Sequence, residues 1–249
     1  MGAACVAQVR GGLTAAFGTP EDARSREIDR DLDIEKKKKI LKILLLGPGE
    51  SGKSTTLKQM KIIHSEGYSQ DDLIAKRHVV YHNLLNGIVT SVREVNDRNI
   101  PITEAQQHDA EMCARFYEKL RTEDVHPLDS NVCNAISRLY ESDAVQQIIY
   151  RTENTDVDEA GQYFLENLAR IRKSDFVPTV LDVLKSRVAT QGCVMMNFFI
   201  KDFTFNVFDV GGQRSQRKKW LHIFDNVHAV LFITSLSEYN QTLFEDKET

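Results

Sequence analysis

The feature of this sequence that most restricts its fold is the stretch "ILKILLLGPGESGKSTT" at residues 40–56. An apolar run typical of a buried strand ends at Gly47, and residues 47–54 then follow the pattern G-x-x-x-x-G-K-[ST]. Glycines let the backbone curl closely around an anion, and the start of the following helix faces the same charge. The pattern therefore predicts a strand, a phosphate-binding loop and a helix.

Two side chains of this loop suit a nucleotide. The ammonium group of Lys53 can reach the outer phosphates as a point charge, and the hydroxyl of Ser54 is placed to bind Mg²⁺. Pro48 fixes one φ angle and removes one amide donor, which is a local cost of this loop. A glycine-rich turn without a ligand is disfavoured, because the strand and helix that the motif requires flank it on both sides.

Apolar spacing predicts a block of helices after the loop, separated by Pro101, Pro127 and Pro178. The helical patterns cover residues 53–64, 72–98, 104–121, 129–140, 142–150 and 160–172. We therefore expect the stretch from about residue 68 to residue 178 to be all-helical.

Strand character returns in three segments after the helical block. "GCVMMNFFIK" and "DFTFNVFDVGG" meet near Asp202, where we expect a hairpin turn, and "VHAVLFITSL" at 227–236 has the pattern of a buried strand. The order of strand, helix, helical block and further strands predicts an α/β sheet interrupted by a helical insert.

The segment "FDVGGQR" at 208–214 narrows the function of the loop. An apolar strand delivers Asp209, which is positioned to meet Mg²⁺ directly or through water. Gly211 and Gly212 let the backbone approach a terminal phosphate, and Gln213 follows where it can orient an attacking water. The residues "RSQRKKWLHIF" that come next have a helix-like pattern.

A third segment, "DVLKSRVATQG" at 182–192, carries two further candidates. Arg187 can supply a cation to the charge of a transferred phosphoryl group, and Thr190 can supply a second hydroxyl to Mg²⁺. Taken singly, each is more often a plain surface residue. Their position between the helical block and the strand that leads to Asp209 favours the functional interpretation.

Composition excludes some classes of protein. A formal net charge of -4 argues against a general nucleic-acid binder, and no run approaches the roughly 18 apolar residues of a membrane span. The N-terminus lacks the long apolar core of a secretory signal. The four cysteines are widely scattered, without metal spacing, which predicts a reducing, cytosolic compartment. They are Cys5, Cys113, Cys133 and Cys193.

Together these segments closely resemble the alpha subunits of heterotrimeric G proteins. The matching stretches are "LLLGPGESGKSTTLKQMKIIH", "DVLKSRVATQG", "FDVGGQRSQRKKW" and "SLSEY" at 235–239. The resemblance covers most of the chain from about Ile28 onward. An isolated phosphate loop is shared by many kinases and ATPases, but this ordered set of motifs is specific, so another P-loop enzyme is a weak alternative. "KQMKIIH" leans toward the inhibitory type of subunit.

The resemblance implies a domain organisation and a site. It implies an N-terminal helix and acylation region at 1–38, a Ras-like P-loop GTPase domain at 39–67 and 184–249, and an inserted all-helical domain at 68–183. It implies that the chain hydrolyses GTP with Mg²⁺ held by Ser54 and Thr190, and by Asp209 through water. The residues that would contact GTP or GDP are Gly47, Glu50, Ser51, Gly52, Lys53, Ser54, Thr55, Leu184, Lys185, Ser186, Arg187, Val188, Thr190, Asp209, Gly211, Gly212 and Gln213.

The resemblance also assigns roles in catalysis and switching. Arg187 would be an arginine finger supplied in cis, a feature the family is known to use and one worth about 10³–10⁵ in rate. Gln213 would position the attacking water. Gly212 would sense the γ-phosphate through its amide and make residues 211–224 a switch.

The resemblance also implies lipid attachment and partner binding at the N-terminus. Gly2 is a myristoylation candidate, although Val6 stands where that motif has Ser or Thr, and Cys5 is a palmitoylation candidate. The helix over 20–38 would bind a beta-gamma dimer. The other expected partners are a G-protein-coupled receptor, a downstream effector and the inner membrane surface. The expected location is the cytoplasmic face of the plasma membrane, and no nucleic-acid partner is expected.

Two departures from the family pattern are visible. No N-K-x-D guanine-reading motif occurs, so we expect a truncated or fragmentary chain with an incomplete GTPase domain and weak selectivity for guanine. A non-catalytic module that binds beta-gamma or effectors without nucleotide turnover is the alternative. In the helical insert, Asp158, Glu159 and Ala160 stand where close relatives often have Asn-Asp-Ser, which removes a serine contact with the nucleotide.

Overall fold

In the computed structural model, the first continuous stretch of described residues begins at Lys39. The described residues are Arg24, 39–123, 125–151, 155–224 and 227–236. The predicted helix over 20–38, except for Arg24, and the lipidation candidates Gly2 and Cys5 lie outside these residues.

Four strands form one mixed sheet in the described part of the chain. They are β1 Lys39–Leu46, β2 Cys193–Ile200, β3 Phe203–Val210 and β4 Ala229–Phe232. The order is β2, β3, β1, β4, with β1 parallel to β3 and β4 and with β2 antiparallel to β3. Leu45 pairs with Asp209, so the carboxyl ends of two parallel strands meet at one edge, where α/β sheets place their ligands. The predicted α/β sheet is confirmed.

Alternation along β1 gives each face of the sheet a hydrophobic cluster. Leu45 packs with Leu57 on one face, whereas Leu44 and Leu46 pack with Val210 on the other. Successive strand residues point to opposite faces, so a continuous apolar run is the pattern of a strand covered on both sides. Burying each leucine side chain contributes about 1.5–3 kcal/mol, which fixes the strand that leads into the loop.

The hairpin between β2 and β3 turns at Lys201 and Asp202, as predicted, with Lys201 at φ 55°. The buried strand predicted over 227–236 is wrong in length and in burial, since β4 covers only Ala229–Phe232 and all four of its residues are exposed. The strand β4 pairs with Ile43–Leu46, the last four residues of β1 before the chain enters the phosphate loop.

Helices make up most of the chain between β1 and β2. They are α1 Lys53–His64, α2 Gln70–Ile74, α3 Arg77–Asp97, α4 Glu104–Leu120, α5 Ser130–Tyr140, α6 Asp143–Arg151, α7 Glu159–Glu166, α8 Leu168–Ile171 and α9 Val180–Lys185. After β3 come a 3-10 helix at Arg214–Trp220 and α10 at Leu221–Phe224, where a helix-like pattern was expected. None of these described helices is both long and apolar enough to cross a bilayer.

Two predicted helices are each divided in the structure. The helix expected over 72–98 breaks after Ile74, where the amide of Lys76 donates to the carbonyl of Leu73 (2.9 Å). Such an i to i+3 bond tightens the last turn and redirects the chain. The helix expected over 160–172 breaks at Asn167, whose side-chain amide donates to the carbonyl of Tyr163 (2.8 Å) and competes with the helical pattern.

The helix α9 was not predicted, although the sequence contains its start signal. Thr179 accepts from the amide of Asp182, and the Asp182 side chain accepts from the amide of Thr179. This reciprocal capping box is readable as T-x-x-D just after Pro178. The helix matters to the site because it ends one residue before Ser186 and two before Arg187.

The helical block has its own hydrophobic core, centred on α3. Val80, Leu84 and Ile88 are fully buried in it. Gly87 meets Gly161 of α7 so closely that a Cβ on Gly87 would lie 2.7 Å from the Gly161 Cα. The glycine pair lets the backbones of α3 and α7 approach closely.

Candidate functional site

The loop between β1 and α1 turns its backbone toward the start of α1. Gly47, Glu50 and Gly52 have φ values of 146°, 67° and 94°. Gly52 is the N-cap of α1 and has no side chain to cap the helix, and no acidic residue stands in the first turn. The positive end of the helix dipole at this point suits an anion.

Lys53 is buried beneath this loop, at 5% exposed. Its Nζ donates to the carbonyls of Gly47 (3.1 Å) and Pro48 (2.5 Å) and to Ser51 Oγ (3.3 Å). Gly212 packs against the same group, since a Cβ there would lie 2.5 Å from Nζ and 2.5 Å from the Pro48 carbonyl oxygen. The structure thus brings the predicted lysine, the loop and the second glycine segment together around one ammonium group.

Three predicted metal-binding side chains meet at the edge of the sheet beside this lysine. Ser54 Oγ donates to Asp209 Oδ2 (2.5 Å) and is hydrogen bonded to Thr190 Oγ1 (2.9 Å). Thr190 Oγ1 in turn donates to Asp209 Oδ2 (3.4 Å). The three residues come from α1, the segment before β2 and the end of β3, so the fold assembles them from distant parts of the sequence.

Asp209 is 2% exposed, and its Oδ1 atom has no hydrogen-bond partner among the described residues. Burial raises the pKa of its carboxyl, and the Ser54 bond, the Lys53 charge and the Thr190 bond oppose that shift. An orphaned buried carboxylate oxygen beside two hydroxyls is a set of hard oxygen donors, which fits Mg²⁺. The described ranges contain no group of three His, Cys, Asp or Glu side chains that could hold a metal ion.

The guanidinium of Arg187 lies between the phosphate loop and the helical block. Its Nη1 donates to Asp158 Oδ2 (3.0 Å), and its Nη2 donates to Glu50 Oε1. Asp158 also caps α7 by accepting from the amide of Gly161 (2.7 Å). The predicted cis cation is therefore at the phosphate loop, held by one carboxylate from each side.

The main chain around Arg187 is held by two other side chains. The Arg187 amide donates to Asn83 Oδ1 (2.8 Å), and Asn83 Nδ2 donates to the Arg187 carbonyl (2.9 Å). Lys58 Nζ donates to the carbonyls of Val183 (2.8 Å) and Ser186 (2.6 Å). Burial, together with the nearby charge of Lys76, lowers the pKa of Lys58 to about 8.

The segment that follows β3 lies beside the phosphate loop. The Gln213 Cγ would lie 3.7 Å from a Cβ on Gly49, which places the predicted water-positioning residue beside the phosphate loop. Trp220 Nε1 donates to the carbonyl of Gly211 (3.0 Å), and Arg217 Nε donates to that of Gly212 (3.1 Å). The 3-10 helix is thus attached to the glycine pair by side-chain hydrogen bonds.

The remaining predicted nucleotide contacts are Thr55, Leu184, Lys185, Ser186 and Val188. Thr55 is exposed on the first turn of α1. Lys185 reaches Glu159 (4.0 Å), and Ser186 Oγ donates to the end of its own helix at the Val183 carbonyl (2.8 Å). Val188 is exposed, and Leu184 is partly buried.

Comparison with known proteins supplies the family. The family model described as G-protein alpha subunit matches residues 22–249. The chain belongs to the G-protein alpha subunit family. This membership, with the mixed sheet and its many helices, agrees with the predicted Ras-like P-loop GTPase fold.

Named relatives agree with this family. The chain is 46% identical over 226 residues to the guanine nucleotide-binding protein alpha-8 subunit of Caenorhabditis briggsae, covering 89% of this chain and 62% of the relative. It is 40% identical over 231 residues to the alpha-17 subunit of Caenorhabditis elegans, covering 92% and 65%. It is 39% identical over 229 residues to the G(o) subunit alpha of Planorbella trivolvis, covering 91% and 64%. The chain thus spans just under two thirds of these relatives.

Three residues near the site of this family member carried no functional prediction: Asn83, Asp158 and Lys58. Asp158 was noted only as a departure from the family pattern, and its capping position before α7 is the one local signal of its orientation. Asn83 lies between His82 and Leu84 in a helical pattern, and nothing local indicates its partner. Lys58 follows Leu57 on α1, and nothing local connects it with Ser186.

Proposed function

We propose that this chain binds GTP and GDP with Mg²⁺ and hydrolyses GTP as the nucleotide switch of a G protein. The observation that carries this proposal is the meeting of Ser54, Thr190 and Asp209 beside buried Lys53 at the carboxyl edge of the sheet. These side chains converge although they are far apart in sequence. The family of the chain supports the choice of guanine nucleotide.

The phosphate groups would lie at the start of α1, at the positive end of its dipole. Lys53 would exchange bonds to the loop carbonyls for bonds to the outer phosphates. Ser54 and Thr190 would hold Mg²⁺ directly, and Asp209 would hold it through water. When bound, Mg²⁺ supplies positive charge to the phosphate oxygens, which favours their approach by a nucleophile.

Two residues would act on the transferred phosphoryl group. Arg187 would turn its guanidinium from the carboxylates toward the charge that develops on the group. Gln213, beside Gly49, would orient the water that attacks. Each would contribute through its position and charge, because phosphoryl transfer requires little covalent chemistry from the protein.

The segment 211–224 would change with the nucleotide. The amide of Gly212 would bond to a γ-phosphate, and the close packing of this residue against Lys53 and the loop supports that role. The hydrogen bonds from Arg217 and Trp220 to the carbonyls of this glycine pair would pass a backbone shift to the 3-10 helix. Loss of the γ-phosphate would release this coupling.

Family membership supports the wider proposals. The GTPase part would comprise 39–67 and 184–249, with a helical domain at 68–183 between them. A beta-gamma dimer, a receptor and an effector would be its partners. Acyl groups on Gly2 or Cys5 would hold the chain at the cytoplasmic face of the plasma membrane. Mass spectrometry of the chain from eukaryotic cells tests this, since an unmodified N-terminus would contradict the acyl anchor.

Hydrolysis by the purified chain tests the core proposal. We expect release of phosphate from GTP that depends on Mg²⁺. Lys53→Met should abolish nucleotide binding, whereas Lys61→Met should not, since Lys61 lies on the same helix and pairs with Asp72 at the surface. A chain that captures beta-gamma yet takes up no nucleotide would contradict the proposal and support a non-catalytic module.

A further inference from the structure

We propose that Asn83 is a positioning residue, which holds the main chain of Arg187 so that its guanidinium can serve GTP hydrolysis. The inference rests on the proposed function, in which Arg187 acts on the phosphoryl group. Asn83 belongs to α3 of the helical block and contacts the site only through another residue. Its effect on hydrolysis would therefore be exerted from outside the nucleotide-binding loop.

The Asn83 carboxamide pairs with the peptide groups of Arg187 as a neighbouring strand would. Its Oδ1 accepts from the Arg187 amide (2.8 Å), and its Nδ2 donates to the Arg187 carbonyl (2.9 Å). The second Nδ2 hydrogen is directed to the carbonyl of Val79 (2.8 Å) on the same helix. Both donors and the acceptor are engaged, so the orientation of the carboxamide is fixed.

Because Asn83 is buried, its hydrogen bonds to Arg187 are costly to lose. Asn83 is 5% exposed, so water has little access to replace the hydrogen bonds of its carboxamide if they are lost. The preceding turn of α3 is anchored in the core by Val80 and Tyr81, both fully buried. The two bonds therefore connect Arg187 with a rigid helix rather than with a mobile surface.

Arg187 needs such support because its own segment lacks regular structure. Residues 186–191 lie between α9 and β2 in neither helix nor strand. The Arg187 side chain is 44% exposed and rests on two carboxylates, which it must leave to reach a phosphoryl group. If the side chain moves, the Cα position must be set by the main chain, and that is where Asn83 acts.

The size of the expected effect follows from the precision that catalysis needs. Misplacing a reacting group by about 1 Å can cost about 100-fold in rate. We therefore expect Asn83→Ala to lower single-turnover GTP hydrolysis about 10- to 100-fold while nucleotide affinity stays near wild type. Asn83→Gln, which keeps a polar amide but displaces it by one methylene group, should also lower the rate and guards against a folding defect in the alanine variant.

A double-mutant cycle separates positioning from a general structural role. In an Arg187→Ala background, Asn83→Ala should lower the hydrolysis rate no further, because its effect passes through Arg187. Asn86→Ala is the matched control: the same residue type on α3, bonded to Tyr117 (3.1 Å) within the helical block. Equal losses from Asn83→Ala in both backgrounds, or an equal loss from Asn86→Ala, would overturn the proposal.

Amide hydrogen exchange tests the contact without nucleotide. Asn83→Ala should accelerate exchange of the Arg187 amide, in a peptide spanning 184–190, while Asn86→Ala leaves it unchanged. Unchanged exchange in Asn83→Ala would overturn the contact, and faster exchange with a wild-type hydrolysis rate would overturn its catalytic meaning. A wild-type chain that binds no GTP would overturn the proposed function instead, and exchange would still decide whether Asn83 holds Arg187.

Discussion

Replacing Asp158 by Asn tests how the two carboxylates at Arg187 affect hydrolysis. Asn is as good a helix N-cap as Asp, so α7 keeps its cap and only the charge facing Arg187 is lost. The Asp158 carboxylate lies 3.0 Å from Arg187 Nη1, and Glu50 accepts from Nη2. We expect Asp158 to compete with the phosphoryl group for the guanidinium, so that removing its charge raises the hydrolysis rate.

The magnitude follows from the exposure of the pair. The side chains of Arg187 and Asp158 are 44% and 21% exposed, and exposed ion pairs are worth about 0.2–1 kcal/mol. Partial burial of Asp158 favours the upper half of that range, about 0.5–1 kcal/mol. Since about 1.36 kcal/mol corresponds to a factor of ten, the expected gain in rate is about 2- to 5-fold.

Single-turnover hydrolysis of bound GTP measures this directly. Asp156→Asn is the matched control, because Asp156 lies two residues away and pairs with Arg93 (3.4 Å) instead. The control should leave the rate at the wild-type value. A slower Asp158→Asn enzyme would refute the reasoning, since Asp158 would then orient Arg187 for catalysis rather than compete for it.

Two further predictions concern stability. Gly87→Ala would place a methyl group 2.7 Å from the Gly161 Cα. We expect the free energy of unfolding, measured in urea, to fall by about 1–3 kcal/mol. An unchanged urea midpoint would show that the two helices separate at little cost. The pKa of Lys58 is lowered from 10.5 to about 8, so between these values the unfolded chain binds more protons there than the folded protein. Stability relative to Lys58→Met should therefore rise with pH in that window, by at most about 1.4 kcal/mol per pH unit, and a difference that stays flat would contradict the shift.

The parts of this structure that were predictable are those with a local signal. The apolar run before Gly47 has the composition of a strand buried on both faces, and the loop residues have the spacing that a phosphate requires. The hairpin at Asp202 is bounded by two strand patterns. In each case neighbouring residues in the sequence determine the result.

The parts that were not predictable depend on tertiary packing. Asn83 and Arg187 are separated by 104 residues, and Lys58 and Ser186 by 128. The pattern around Asn83 indicates a helix, but nothing local indicates the partner of its side chain. The divided helices are a smaller case, since one i to i+3 bond at Lys76 and one side chain at Asn167 outweigh an otherwise continuous apolar pattern.

Calorimetric titration of GTPγS, a slowly hydrolysed GTP analogue, into the chain with and without Mg²⁺ tests most directly whether Ser54, Thr190 and Asp209 form a metal-assisted nucleotide site. We expect Mg²⁺ to tighten binding to the wild-type chain, and we expect Asp209→Asn to weaken that Mg²⁺ dependence by about 10–100-fold. Nucleotide uptake that is indifferent both to Mg²⁺ and to Asp209 would contradict this site.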